Sequence, residues 1–153
     1  MLNIVRTNSE HQDFIALTKV LDRYLKVADG NEHDFYNQFN NLDALKHTIV
    51  VYKNNITFGC GAFKGFEKDT IEIKRMFTLH EFRGKGIAFK VLTTLENWAI
   101  ELGFKYSVLE TGTRQKEAVA FYKKCEYNII ANYGQYKNME NSLCFKKMLF
   151  LSK

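Results

Sequence analysis

The segment Arg83-Gly84-Lys85-Gly86-Ile87-Ala88 places two glycines and two cations between a strand-like run and an amphipathic helix. Glycine lets a backbone approach a ligand closely. The N–H groups of a helix's first turn have no intrahelical acceptor and point at whatever anion lies before them. Arg83 and Lys85 add positive charge to the same loop, so the segment reads as a phosphate cradle. It is not a Walker loop, which needs four residues between its first glycine and a Gly-Lys-Ser/Thr ending. Nor is it the dinucleotide Gly-x-Gly-x-x-Gly, because Phe89 stands at the third position after Gly86.

Two elements must position that loop. Before it, Ile71 to Thr78 interleaves apolar and charged residues, and a strand is expected over 70–78. After it, Ile87, Ala88, Val91, Leu92, Leu95, Trp98, Ala99 and Leu102 recur at three- and four-residue intervals, giving one apolar face of a helix over 86–102 that stops at Gly103. Upstream, residues 2–7 read as a first strand. Ser9 and Gln12 fit a capping box for a helix through Phe14, Leu17, Leu21 and Leu25, broken at Asp29-Gly30-Asn31. A second, more polar helix is expected over 32–40. His47 to Tyr52 and Ile56 to Phe63 form a hairpin about Asn54-Asn55, with a further turn over 64–69. Downstream come a strand over 106–111, a helix at about 114–125, and strands near 127–133 and 143–150. The order is β-α-α-β-β-β-α-β-α-β-β in one domain, 1–153, an α/β chain with an α+β mixed sheet.

Arg83-x-x-Gly86-x-Ala88 resembles the acyl-CoA pyrophosphate loop of the GNAT superfamily of N-acyltransferases, Gln/Arg-x-x-Gly-x-Gly/Ala. The segment from Gln115 to Tyr127 is similar to that family's Asn-x-x-Ala-x-x-Leu-Tyr-x-Lys-x-Gly-Phe stretch. The element order resembles the GNAT fold along essentially the whole chain. Two positions depart from the pattern: Gln115 stands where Asn is common, and Glu126 replaces the helix-ending Gly. A left-handed backbone at Glu126 would cost roughly 1–2 kcal/mol unless the helix ended elsewhere, at Asn128.

The resemblance implies acetyl-CoA as co-substrate, no metal, and transfer of an acetyl group to a primary amine by direct attack in a ternary complex. Arg83, Gly84, Lys85, Gly86, Ile87 and Ala88 would hold the pyrophosphate, and Gln115 would touch the pantetheine or phosphate arm. The backbone of Met76, Phe77 and Thr78 would run along the pantetheine, where a main-chain N–H could polarise the thioester carbonyl. Tyr122 aligns with the tyrosine that protonates the departing thiolate. A phenol with a pKa near ~10 stays protonated at neutral pH and suits that task. Attack needs a neutral amine, and either Glu72 or Glu110 could take the proton. By alternation, Glu72, Lys74 and Met76 share a face, Glu72 and Lys74 could form a plain surface pair, and Glu110 is the less exposed acid. His33, Tyr36, Tyr133 and Asn141 are the acceptor-site candidates. A non-catalytic CoA- or partner-binding module is the alternative, which an intact Tyr122 disfavours.

Composition narrows the remaining classes. Hydrophobic residues make up 46% of the 153 and aromatics 14%, enough for a packed core. The net charge of +5 favours anionic ligands, yet the basic residues are scattered and no nucleic-acid motif occurs. The N-terminus lacks a signal peptide's layout and no run is long enough for a membrane span. Cys60, Cys125 and Cys144 are widely spaced, which fits reduced buried thiols and a cytoplasmic location. Cys125 has no evident activating partner for a ping-pong route. The expected partner is a small-molecule or peptide amine, with no nucleic acid and no membrane; a homodimer is left open.

Overall fold

The structure, a computed structural model, describes residues 2–30 and 45–150. Strands β1 (Asn3–Thr7), β2 (His47–Lys53), β3 (Ile56–Glu67), β4 (Thr70–Thr78), β5 (Tyr106–Gly112), β6 (Asn128–Ile130) and β7 (Ser142–Met148) form one sheet in the order β1-β2-β3-β4-β5-β7-β6. The described helices are α1 (Gln12–Asp29), α2 (Ile87–Glu101) and α3 (Lys116–Lys124). Every neighbouring pair is antiparallel except β4 and β5, which the crossover through α2 makes parallel.

Alternation along the central strands sends side chains to two cores. On one face Phe14, Leu17 and Leu21 of α1 pack against Val50, Cys60, Ala62 and Phe77. On the other, Val91, Leu92, Leu95 and Ala99 of α2 cover Ile49, Val51, Phe63, Ile71 and Ile73. The expected mixed α/β architecture stands, and the boundaries of β4 match expectation to the residue. Asn54 and Asn55 both take left-handed backbone at the first hairpin turn, as a two-residue turn demands.

Several local expectations are corrected. Ser9 does not cap α1: its N–H bonds the Leu45 carbonyl, and His11 caps the helix by accepting the Asp13 N–H at its Nδ1, 3.2 Å away. The turn expected over 64–69 shrinks to Lys68-Asp69, because Lys64 pairs across from Glu72 and Gly65 from Ile71. β6 stops at Ile130, where Asn132 takes over by aiming its amide nitrogen at the carbonyls of Tyr136, Met139 and Ser142. Helix α3 ends at Lys124, and Glu126 takes left-handed backbone at φ 72°, so the strained alternative is the one realised. The helix expected over 32–40 lies outside the described residues.

A bulge reshapes the second half of β4. Phe77 faces Cys60 and Lys74 faces Ala62, so three steps on β4 oppose two on β3. The extra residue falls at Arg75, which takes φ 57°. Lys74 and Arg75 consequently precede a reversal of faces. Met76 joins the α2-side core rather than sharing a face with Glu72 and Lys74, contrary to the simple alternation expected. Gly61 makes this packing feasible, since a Cβ there would sit 2.5 Å from the Met76 sulfur.

Candidate active site

β4 and β5 pair only at Thr70–Tyr106, Ile71–Ser107 and Glu72–Val108. Beyond Glu72 the two strands part, and two cavities open into the gap. The larger, about 740 Å3, runs between the Met76–Thr78 end of β4, the loop before α2, and α3. The smaller, about 130 Å3, lies between α1, the bulged part of β4, and β5. Leu21, Met76, Gln115, Ala118 and Tyr122 line both, so the cavities meet beside the Tyr122 side chain.

The larger cleft has the features of a phosphate-and-chain site. Gly84 and Gly86 both adopt φ 78°, and a Cβ on either would meet nothing within 4 Å. The conformation requires glycine, and the space beside it is open to a ligand. The Lys90 N–H makes the first bond back to the Gly86 carbonyl, which leaves the preceding N–H groups of α2 facing out of its start. Arg83 lies at the cleft wall, and its Nε donates to the Thr78 carbonyl at 3.0 Å, strapping the loop to the end of β4. Its guanidinium also stands 5.6 Å and 5.8 Å from the ring centres of Tyr24 and Phe77. Phe77, Phe82, Ile87 and Phe121 make the floor apolar. Lys85 is exposed and does not line the cleft. An acyl-CoA fits this donor set: N–H groups at the phosphates, apolar walls along the pantetheine.

Tyr122 is buried at the junction of the cavities. Among the described residues its hydroxyl has no hydrogen-bond partner, while burial pushes its pKa well up. The phenol therefore stays a proton donor. Cys125 lines the same cleft, but burial and the Glu96 carboxylate push its thiol up, away from thiolate.

The smaller cavity is charged. Glu72, Lys74, Arg75 and Glu110 all line it. Glu72 is 2% exposed, so its pair with Lys74 is buried, not the plain surface pair that was the alternative to a catalytic role. Tyr133 donates to Oε2 of Glu72 at 2.7 Å, while Lys74 and Lys64 stand 3.7 Å and 3.9 Å from Oε1. Glu110 is only half-buried, which reverses the expected ranking of the two acids. Besides its strand neighbour Lys74, Glu72 is covered by Tyr133 and by Lys64 of β3, two distant residues that local pattern does not reveal. Burial lowers the pKa of Lys74, helped by Lys64 and Arg75 and opposed by Glu72 and Glu110. Burial and the neighbouring acids push Tyr133 and Tyr136 well up.

Of the other acceptor-site candidates, Asn141 serves the frame, its carbonyl accepting the Thr113 N–H at 2.9 Å. His33 and Tyr36 lie outside the described residues. Arg75, Leu21, Leu25 and Thr111 line the small cavity, and sequence reasoning missed all four as site residues. The adjacent charges Lys74-Arg75, which break the alternation of β4, were the available signal for Arg75.

A sequence model of the acetyltransferase (GNAT) family matches residues 14–127. The uncharacterized N-acetyltransferase YjgM of Escherichia coli (strain K12) is 35% identical over 104 residues, 67% of this chain and 62% of that protein, so the chain spans less than two thirds of that relative's length. Among solved structures, one described as an acyl-CoA N-acyltransferase from Klebsiella pneumoniae superposes with a TM-score of 0.82 at 25% identity, covering 98% of this chain and 99% of that one. A GNAT family acetyltransferase from Elizabethkingia anophelis, solved with acetyl-CoA bound, superposes with a TM-score of 0.70 at 18% identity, over 97% and 98% of the two chains.

Proposed function

Because the chain belongs to the acetyltransferase (GNAT) family, we propose that it moves an acetyl group from acetyl-CoA to a primary amine by direct attack, with both substrates bound. The observation that carries this reading is the shared wall. A long apolar cleft with a phosphate cradle and a small charged cavity meet at Met76 and Tyr122, between strands that have parted.

In this reading the α2 N-terminus with Gly84 and Gly86 binds the pyrophosphate, and Arg83 adds charge while bracing the loop. The unpaired edge of β4 beyond Glu72 offers main-chain N–H groups to a carbonyl oxygen at the junction. Tyr122 holds a proton there for the sulfur that leaves. Glu72 and Glu110 hold the amine as it approaches and one of them, directly or through water, receives its proton. A route through Cys125 is disfavoured by a thiol held protonated.

The deciding experiment is an amine library with acetyl-CoA, read by thiol release and by initial rates against both substrates. Intersecting double-reciprocal lines and no acetylated protein by mass spectrometry are expected. Parallel lines with a stable acetyl-protein would replace direct attack with a covalent route. Acetyl-CoA binding without release to any amine would favour the CoA-binding module.

A further inference from the structure

The small cavity is lined by a buried cation whose donors are only partly used among the described residues. Arg75 is 6% exposed, and its Nη2 donates to the Thr18 carbonyl at 3.0 Å and to Oδ1 of Asp22 at 2.7 Å. A guanidinium has five N–H donors. The two on Nη2 are used, which leaves the three on Nε and Nη1, and both those nitrogens are buried without a partner among the described residues. Orphaned charged donors of this kind are rare in native proteins and call for an explanation. The residue is also held in left-handed backbone at the β4 bulge, a second departure from the relaxed state at the same position.

We propose that the acceptor amine also bears a carboxylate, and that Arg75 is the residue that recognises it. This rests on the acetyl-transfer reading above. The guanidinium lies against the Thr18–Asp22 stretch of α1, beside Leu21 and Leu25, which line the cavity that Arg75 itself lines. Thr111 lines it as well, and its buried hydroxyl also has no partner among the described residues. A carboxylate supplies acceptor lone pairs for the unused guanidinium N–H groups and for the Thr111 O–H donor.

The rest of the lining matches a zwitterion. Glu72 and Glu110 provide the negative charge that an ammonium group seeks, and Lys74 and Arg75 the positive charge that a carboxylate seeks. A polyamine would set its second cation against Arg75 and Lys74, a like-charge contact at a buried site. The cavity's 130 Å3 is room for roughly four waters. That accommodates the two charged ends of an amino acid and leaves its side chain to project outward.

The test uses matched acceptors with the whole chain and acetyl-CoA: each common amino acid, its amide, and the amine left when its carboxyl is removed. For the preferred amino acid, kcat/KM should exceed that of the decarboxylated amine at least tenfold, chiefly through KM. In Arg75→Gln that ratio should fall towards one, with KM for acetyl-CoA unchanged. Should that variant fail to fold, product inhibition of the parent decides: the N-acetyl amino acid should compete with acceptor at least tenfold better than the neutral N-acetyl amine. Equal use of the charged and neutral partners, or a preference that survives in Arg75→Gln, overturns the proposal. Equal inhibition by the two products does the same. Thiol release from no member of these sets, but to another amine of the library, also overturns the proposal, whereas release to no amine at all sinks the acetyl-transfer reading itself.

Discussion

The loop proposed to hold phosphate and the cavity proposed to take the acceptor lie on either side of Tyr122, yet they are built by opposite means. Loop 83–88 and the start of α2 are one continuous stretch, and their working groups are main-chain N–H groups and glycine conformations. The acceptor cavity draws on α1, β4, β5 and the segment between β6 and β7, and its working groups are side chains that arrive from sites far apart in sequence. A backbone device tolerates change around it so long as glycine and helix start remain. A side-chain device depends on every partner that holds it. This contrast predicts where substitutions act on chemistry, on stability or on affinity.

The largest effect belongs at the junction. Tyr122→Phe keeps the buried ring and removes the donor, so kcat should fall by roughly 10²–10⁴-fold with acetyl-CoA binding much less changed. The deficit should narrow for a thioester whose thiol is more acidic. Since burial raises the phenol's pKa, the acid is retained as pH passes the ordinary tyrosine value near ~10, and the parent should show no loss of kcat from this group there. Parent-like turnover by the Phe variant, with chemistry rate-limiting, would make Tyr122 structural.

On the acceptor side, Glu72→Gln removes the carboxylate 3.7 Å from the buried Lys74 ammonium and leaves Glu110 as the other acid that acts on it. Breaking a buried pair from one side costs roughly 3–5 kcal/mol, and the 3.7 Å separation argues for the lower end. Denaturant unfolding should show the midpoint drop with an unchanged m-value. Glu72→Gln with Lys74→Met should lose less than the single change, because the buried ammonium that had faced Glu72 is gone as well. An additive double variant would mean that the two groups are not coupled.

On the cofactor side the comparison can be sharpened at Arg83, whose nitrogens do two jobs. Arg83→Ala should weaken acetyl-CoA by about 1–3 kcal/mol, less at high salt if charge dominates. Arg83→Lys keeps the charge and loses the Nε bond to the Thr78 carbonyl. If Lys restores affinity, the loop holds its shape through backbone alone; if it does not, the strap is needed.

The same contrast explains what could be read from the chain. The glycine turns at Gly84 and Gly86, the helix after them and the limits of β4 were legible because period and glycine spacing are local properties. Arg75 was not, since a bulge is defined by the partner strand, here the Cys60–Ala62 step opposite Lys74–Phe77. Nor was the burial of Glu72, which Tyr133 enforces from sixty-one residues away. Ser9 failed as a cap because α1 begins at Gln12, where the His11 side chain accepts the Asp13 N–H.

Two non-glycine residues hold left-handed backbone near the two cavities: Arg75 in the acceptor cavity, and Glu126 after α3, where the resembling family pattern has glycine. Their surroundings differ. Arg75 is buried and bonded to α1, so its conformation is held by contacts that would be lost with the side chain. Glu126 is exposed, and the turn around it is secured by main-chain bonds that any residue can make, from the Tyr127 N–H to the Tyr122 carbonyl and from the Cys125 N–H to the Phe121 carbonyl. Strain at Glu126 thus has no compensating side-chain bond among the described residues. Glu126→Gly should raise stability by about 1 kcal/mol, less than the full 1–2 kcal/mol of left-handed strain because glycine also loosens the unfolded chain. For a domain of this size that is a Tm increase of roughly 2–4 °C, measurable by calorimetry. A fall in Tm would show that the Glu126 side chain contributes something that its exposed position hides.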